Sequence, residues 1–169
     1  DCVIENTTMD SLYEAPLMLH DNGLDTVVCR ELGLDKKKPD LTEWQNIVKR
    51  IHNLKKNVKV GIVGKYVALH DAYLSVRESL YHGGYENDAS VDIAWIDSEK
   101  ITNENVAETL KGLDGIVVPG GFGERGIEGM VAACRYAREN DIPYLGLCLG
   151  MQISVIEFAR DVAGIEDAN

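Results

Sequence analysis

From Val58 onward, short apolar runs alternate with amphipathic stretches, and the alternation repeats four times. Val58 to Val63 reads as a strand. After it comes a helix with Asp71 as its expected cap, Tyr73, Val76 and Leu80 on its apolar side, and Gly83-Gly84 as its stop. Val91 to Ile96 is a second strand, and Asn103 to Leu110 a helix stopping at Gly112. Ile116 to Val118 is a short third strand that runs into Pro119-Gly120-Gly121-Phe122-Gly123, and Ile127, Met130, Val131, Cys134 and Ala137 line the next helix. The fourth unit begins with the apolar run from Ile142. Its helix carries Met151, Val155, Phe158, Ala159 and Val162 at helical spacing, with Gly164 as a stop. Strands and helices of this length in alternation require right-handed crossovers and a parallel sheet covered on both faces. The expected fold is therefore α/β, a doubly wound parallel sheet of flavodoxin-like strand order 2-1-3-4.

The chain before Val58 follows a different pattern. Asp10 to Leu34 reads as helical with a break at Gly23 and an end at Gly33, and it supplies no strand of its own. Lys36-Lys37-Lys38-Pro39 has the character of a solvated linker, because three like charges are too few for a binding patch. Thr42 to Gln45 offers a capping box ahead of Trp44, Ile47, Val48 and Ile51, a short connecting helix.

Composition narrows the function classes. With 45% hydrophobic and 27% charged residues, the 169-residue chain has the makeup of a soluble globular protein. Its 28 acidic against 17 basic residues give a net charge of -11, which argues against a broad nucleic-acid footprint and against anionic membrane surfaces. Cys2, Cys29, Cys134 and Cys148 are widely spaced and form no zinc-like cluster with the histidines, so no metal site is expected and a reducing cytoplasm is the simplest setting. No run approaches the ~20 apolar residues of a membrane span. The first residue is not Met and no stop signal follows the last helix, so both ends read as cuts.

The chemistry points to Ile142 to Gln152. There the apolar run ends at Cys148 and a helical pattern starts at once, giving Gly-Leu-Cys-Leu-Gly. A lone cysteine in an apolar run is ordinarily a buried structural residue. Here the flanking Gly146 and Gly150 match a nucleophile elbow, a sharp strand-to-helix turn where a Cβ two residues to either side of the nucleophile would collide with backbone. The helix that follows would aim its positive end at the sulfur, which favours the attacking thiolate.

In a 2-1-3-4 sheet, strands three and four are neighbours, so the Gly120-Gly121 loop faces Cys148-Leu149. One backbone N–H from each could hold the oxyanion formed when a thiolate attacks an amide carbonyl. Read alone, Pro-Gly-Gly-Phe-Gly is equally a plain turn. Gly61-x-x-Gly64-Lys65 lacks the P-loop spacing, and Tyr66 stands where a Ser or Thr is needed, so it reads as a structural turn and not a phosphate cradle.

Val-Gly-Lys-Tyr at 63–66, Asp-Ala-Tyr at 71–73, Pro-Gly-Gly-Phe-Gly at 119–123, Pro-Tyr-Leu-Gly-Leu-Cys-Leu-Gly-Met-Gln at 143–152 and Asp-Ser-Leu-Tyr at 10–13 together resemble the CTP synthase family across the chain. The resemblance implies three parts. Residues 1–35 would be the tail of an amidoligase domain, 36–57 an interdomain linker, and 58–169 the first part of a class I glutamine amidotransferase domain, its fold incomplete. It also implies that ATP with Mg2+ activates UTP, that ammonia from glutamine aminates it to CTP, that GTP activates glutamine hydrolysis, and that the enzyme is a cytoplasmic homotetramer. By the same resemblance Cys148 is the nucleophile of a Cys-His-Glu triad, Gly120 and Leu149 supply the oxyanion N–H groups, and Gly121, Leu149, Gly150, Met151 and Gln152 line the glutamine pocket. Thr7, Thr8 and Met9 fall where the family contacts the adenine of ATP, though without the basic and acidic residues found there. His20, His52, His70 and His82 all precede Cys148, whereas the family's His and Glu follow the nucleophile. Two other readings fit parts of the pattern: the glutaminase of another class I amidotransferase, as in GMP or anthranilate synthesis, and a non-catalytic, DJ-1-like module with an elbow cysteine.

Overall fold

The computed structural model describes residues 3–34 and 38–169. The chain forms two compact units, Asp1–Lys55 and Lys56–Asn169. The expected boundary at residues 35 and 36, and most of the lysine run, lie outside the described residues, as does Cys2.

The first unit is helical. A single turn at Leu12–Glu14 is closed by a capping box: Ser11 Oγ accepts from Tyr13 N–H at 3.3 Å and Glu14 Oε1 from Ser11 N–H at 3.1 Å. It leads into α1 (Ala15–Asp21) and α2 (Leu24–Leu32), which are separated by Gly23 at φ +79°, and α2 ends at Gly33 at φ +62°. Both glycines adopt the left-handed conformation that other residues resist. The third helix, α3 (Thr42–Ile51), packs Trp44 beside Tyr13, with the indole N–H donating to Tyr13 O at 2.6 Å. The expected Thr42–Gln45 box does not form. Thr42 is already inside the helix, and Asp40, two residues ahead, accepts from both its N–H and its hydroxyl.

The second unit is a four-stranded parallel sheet of order β2-β1-β3-β4, as the alternation predicts. The strands are β1 (Lys56–Gly64), β2 (Ala89–Asp97), β3 (Gly115–Val118) and β4 (Tyr144–Gly146). The helices between and after them are α4 (Leu74–Glu86), the short α5 (Val106–Thr109), α6 (Ile127–Glu139) and α7 (Leu149–Asp161). Successive residues of a strand face opposite sides. Ile62 accordingly packs with Tyr73, Val76 and Leu80 on the α4 side, while Val63 joins Ile116, Val118, Met130 and Ile153 on the side of α6 and α7. No helix among the described residues is long and apolar enough to cross a membrane.

Several local expectations are corrected. Gly83-Gly84 does not end α4, which runs on to Glu86; a Cβ on Gly84 would lie 2.5 Å from Ala89 O and 2.7 Å from Val91 Cγ2, so that glycine serves close helix–strand packing. Asp71 is not the cap of α4. It lies within a single turn at His70–Tyr73, and Tyr73 occupies the cap position with its ring buried. The helix expected from Asn103 shrinks to α5 because Asn105 Oδ1 accepts from Thr102 N–H at 2.8 Å and holds that stretch as a turn. Gly61 and Gly64 are strand residues and not a turn: their missing side chains admit Leu113 and Tyr73, whose atoms would come within 2.6 Å and 2.8 Å of a Cβ. On α7 the side facing the sheet is Gly150, Ile153 and Glu157, and the spaced apolar set Met151, Val155, Phe158 and Val162 faces outward, each about half exposed or more.

Candidate active site

β3 and β4 run in register from Ile116 and Tyr144 to Val118 and Gly146, and the pairing is prolonged by Leu147 N–H, which donates to Val118 O at 2.9 Å. The chain then reverses into α7 within one residue. Cys148 makes that turn at φ +54°, ψ −104°, a conformation costing a non-glycine residue about 1–3 kcal/mol. It is the exposed one among Cys29, Cys134 and Cys148, and its carbonyl accepts from Met151 and Gln152 N–H at 3.1 and 3.2 Å.

The elbow's tightness explains its glycines. A Cβ on Gly146 would strike the Gly150 carbonyl and come within 2.6 Å of Met151 N, and one on Gly150 would overlap Val118 O and lie 2.8 Å from its carbonyl carbon. These are backbone neighbours, as the sequence pattern requires. Tyr144 Oη donates to Gly150 O at 2.8 Å and ties the edge strand to the first turn of α7.

The glycine loop after β3 lies against this elbow. A Cβ on Gly120 would sit 3.7 Å from Cys148 Cβ, and one on Gly121 would touch Leu149 Cδ2 and Lys65 Cδ, both at 3.3 Å. Gly120 and Leu149 N–H have no acceptor among the described residues; Leu149 N–H is one of those a helix start leaves unpaired. Of the remaining expected site residues, Met151 and Gln152 are exposed on the first turn of α7 and Gly150 is buried behind the cysteine. Thr7 and Thr8 are exposed and Met9 half-buried in an irregular stretch of the first unit.

Around the elbow and beneath α7 lie polar groups whose contacts the sequence pattern does not reveal. Lys65, one residue past β1, is 5% exposed, and its Nζ donates to the carbonyls of Phe122 and Gly123 in the glycine loop. Tyr73 Oη accepts from the N–H groups of Lys65 and Tyr66 at 3.2 and 3.3 Å. Beneath α7, Glu157 is 2% exposed, and its Oε1 accepts from Arg138 Nε at 2.9 Å and Nη2 at 2.7 Å. Cys134 lies in the same region, where burial, followed by the Glu157 carboxylate, pushes its thiol up to about 11, so it stays protonated and unreactive. Burial also raises Tyr144, which remains a hydrogen-bond donor.

The histidines are engaged elsewhere. His20 meets Asp25 and His52 meets Glu14, each at 2.9 Å, and His70 stacks on Trp95 with ring centroids 4.2 Å apart. His82 lies on α4 beside Tyr85. Among the described residues no cluster of three His, Cys, Asp or Glu could hold a metal ion.

Comparison with known proteins places this geometry in context. The family profile described as "Glutamine amidotransferase class-I" matches residues 68–168. A CTP synthase of Ruminiclostridium cellulolyticum is 59% identical over 167 residues, which cover 99% of this chain and 31% of that protein. One from Clostridium acetobutylicum is 56% identical over 169 residues, covering 100% of this chain and 32% of the relative. The chain thus spans about a third of the length of these curated relatives. A solved structure of the Trypanosoma brucei CTPS glutaminase domain with bound acivicin superimposes with a TM-score of 0.61 at 43% identity, covering 65% of this chain and 43% of that one.

Proposed function

The chain belongs to the class I glutamine amidotransferases, and on that premise we propose that its second unit carries the nucleophile and oxyanion half of a glutaminase site that feeds CTP synthesis. The observation that carries the reading is Cys148 exposed on a strained turn, with its Cβ 3.7 Å from where a Cβ on Gly120 would stand.

The chemistry follows from the elbow. The Cys148 thiolate adds to the side-chain carboxamide carbon of glutamine, and the carbonyl electrons move to oxygen, where the N–H groups of Gly120 and Leu149 receive them. Collapse expels the nitrogen, once protonated, as ammonia and leaves a glutamyl thioester that water hydrolyses to glutamate. Gly121 keeps the space beside Leu149 open for the substrate, and Met151 and Gln152 form the rim. In the proposed whole reaction, the ammonia displaces phosphate from UTP activated by ATP with Mg2+, and GTP stimulates glutamine hydrolysis. The residues here do not fit ATP or Mg2+: Thr7, Thr8 and Met9 bring no charged side chain to meet a phosphate, and among the described residues no cluster of three His, Cys, Asp or Glu could hold the metal. Those steps are assigned to parts of the relatives that this chain does not span.

Two results test the reading. Gly121→Ala should lower glutamine hydrolysis by about 10²-fold when residues 1–169 are grafted into the Ruminiclostridium cellulolyticum relative, because the added Cβ presses on Leu149 and shifts an oxyanion donor. An unchanged rate would remove the loop from the site. The 169-residue chain alone should be alkylated at Cys148 by a glutamine-shaped electrophile yet release no ammonia from glutamine. Turnover needs a base to protonate the leaving nitrogen and activate water, and no histidine follows Cys148. The nearest buried carboxylate on α7, Glu157, is held by Arg138. Ammonia release above buffer that disappears in Cys148→Ser would show that the base lies within this chain.

A further inference from the structure

Lys65 has no part in the bond-making steps above, yet its placement costs energy. Removing an ammonium from water is unfavourable unless its donors are met. Here they are met by two backbone carbonyls, those of Phe122 and Gly123, and not by a carboxylate. If packing alone were at stake, a neutral side chain would fill this position at lower cost.

The base of the lysine is fixed from two sides. Its N–H donates to Tyr73 Oη at 3.2 Å, and its carbonyl accepts from Arg125 Nη2 at 3.4 Å, while Arg125 Nη1 is held by Glu99 at 2.6 Å. Its tip reaches a stretch with little hold of its own, since Phe122 is 88% exposed and Gly123 sits at φ +74°. A loop of this composition has large conformational freedom to lose. Along the way, Lys65 Cδ and Cε pass 3.3 and 3.5 Å from the Cβ position of Gly121, and Leu149 Cδ2 lies 3.3 Å from the same point. The lysine therefore runs under the loop at the place where loop and elbow meet.

We propose that Lys65 is a positioning residue, a charged strut that holds the glycine loop so that its N–H groups face the oxyanion formed at Cys148. The inference rests on the amidotransfer reading and adds a residue to it. Because the strut acts on the oxyanion donors and not on the sulfur, its loss should slow reactions that pass through an oxyanion and spare those that do not.

The test uses the 169-residue chain and two reagents, with adducts mapped to Cys148 by mass spectrometry. A glutamine-shaped chloromethyl ketone reacts through a tetrahedral oxyanion, whereas iodoacetamide alkylates the sulfur by direct displacement. In the unsubstituted chain, the chloroketone should outpace chloroacetone and be slowed by glutamine. Lys65→Met should cut the chloroketone rate by about tenfold to a hundredfold, leave iodoacetamide within about twofold, and speed amide exchange across 120–124; Lys65→Arg should recover most of the loss. An unchanged chloroketone rate in Lys65→Met, or an equal fall with both reagents, overturns the strut. If the Met variant does not fold, Lys65→Gln is read by the same criteria. Absence of any chloroketone preference in the unsubstituted chain instead removes the amidotransfer reading, and the strut with it.

Discussion

Replacing Cys148 with alanine in a CTP synthase that carries residues 1–169 in place of its own segment should abolish CTP formation from glutamine and leave formation from free ammonia near its original rate. Loss of the nucleophile removes the thioester route altogether, an effect on the order of 10⁶-fold where a triad acts as a unit. The fold should tolerate the change. Cys148 is exposed, its side chain fills no core space, and alanine meets the same backbone strain at φ +54° that cysteine already bears. The ammonia-dependent reaction should be unaffected, because in the proposed mechanism Cys148 serves only nitrogen release. Both rates measured on the same preparation decide the matter. Loss of the two together would mean that the elbow supports the amination step as well, and the proposed separation of roles would be wrong.

Much of this site is legible in the sequence because backbone geometry leaves few ways to build it. Gly146 and Gly150 bracket Cys148 since a side chain at either place would meet backbone, and the glycine run after β3 comes to the elbow because strands three and four are neighbours. The strand order follows from the alternation of apolar runs with amphipathic helices. What the sequence hides is the purpose of individual polar residues. Asp71 and Thr42 have the residue types of caps but not the position, because the helix start was set by the buried Tyr73 ring in one case and by Asp40 in the other. Gly83-Gly84 looks like a stop, but the helix runs through it and Gly84 alone is a packing residue, since a helix tolerates glycine when a strand must come close. Lys65 follows a glycine after a strand and so reads as part of a structural turn, whereas its ammonium is turned inward onto carbonyls that lie more than fifty residues on. No local pattern reports such a contact.

The outward set on α7 illustrates the same limit. Periodicity shows that Met151, Val155, Phe158 and Val162 share a face, but not which face meets the sheet. The deciding residues are Gly150, whose lack of a side chain lets the helix approach Val118, and Glu157, an acidic residue that belongs in no apolar stripe and is buried only because Arg138 reaches it.

That close approach gives the second large expected effect, on stability and not on chemistry. Gly150→Ala should destabilise the second unit by about 3 kcal/mol or more, at the upper end of overpacking costs, because the new methyl overlaps the Val118 carbonyl oxygen and lies 2.8 Å from its carbon and 3.0 Å from its Cβ. Val118 is fully buried in a strand paired on both sides of the elbow's approach, so it has nowhere to move, and α7 must lift instead. Lifting α7 loosens Tyr144 from Gly150 O and the Ile153 packing together. For a unit of this size the loss corresponds to roughly 12 °C in melting temperature. Gly83→Ala supplies the control: it also lies inside a helix, has nothing within 4 Å of its Cβ, and should gain stability by about 0.5–1 kcal/mol through helix propensity alone. Circular dichroism melts of the two variants beside the unsubstituted chain should therefore move in opposite directions. A Gly150→Ala melt at the unsubstituted temperature would show that α7 does not rest on β3 as described, and the elbow geometry at Cys148 would lose its support.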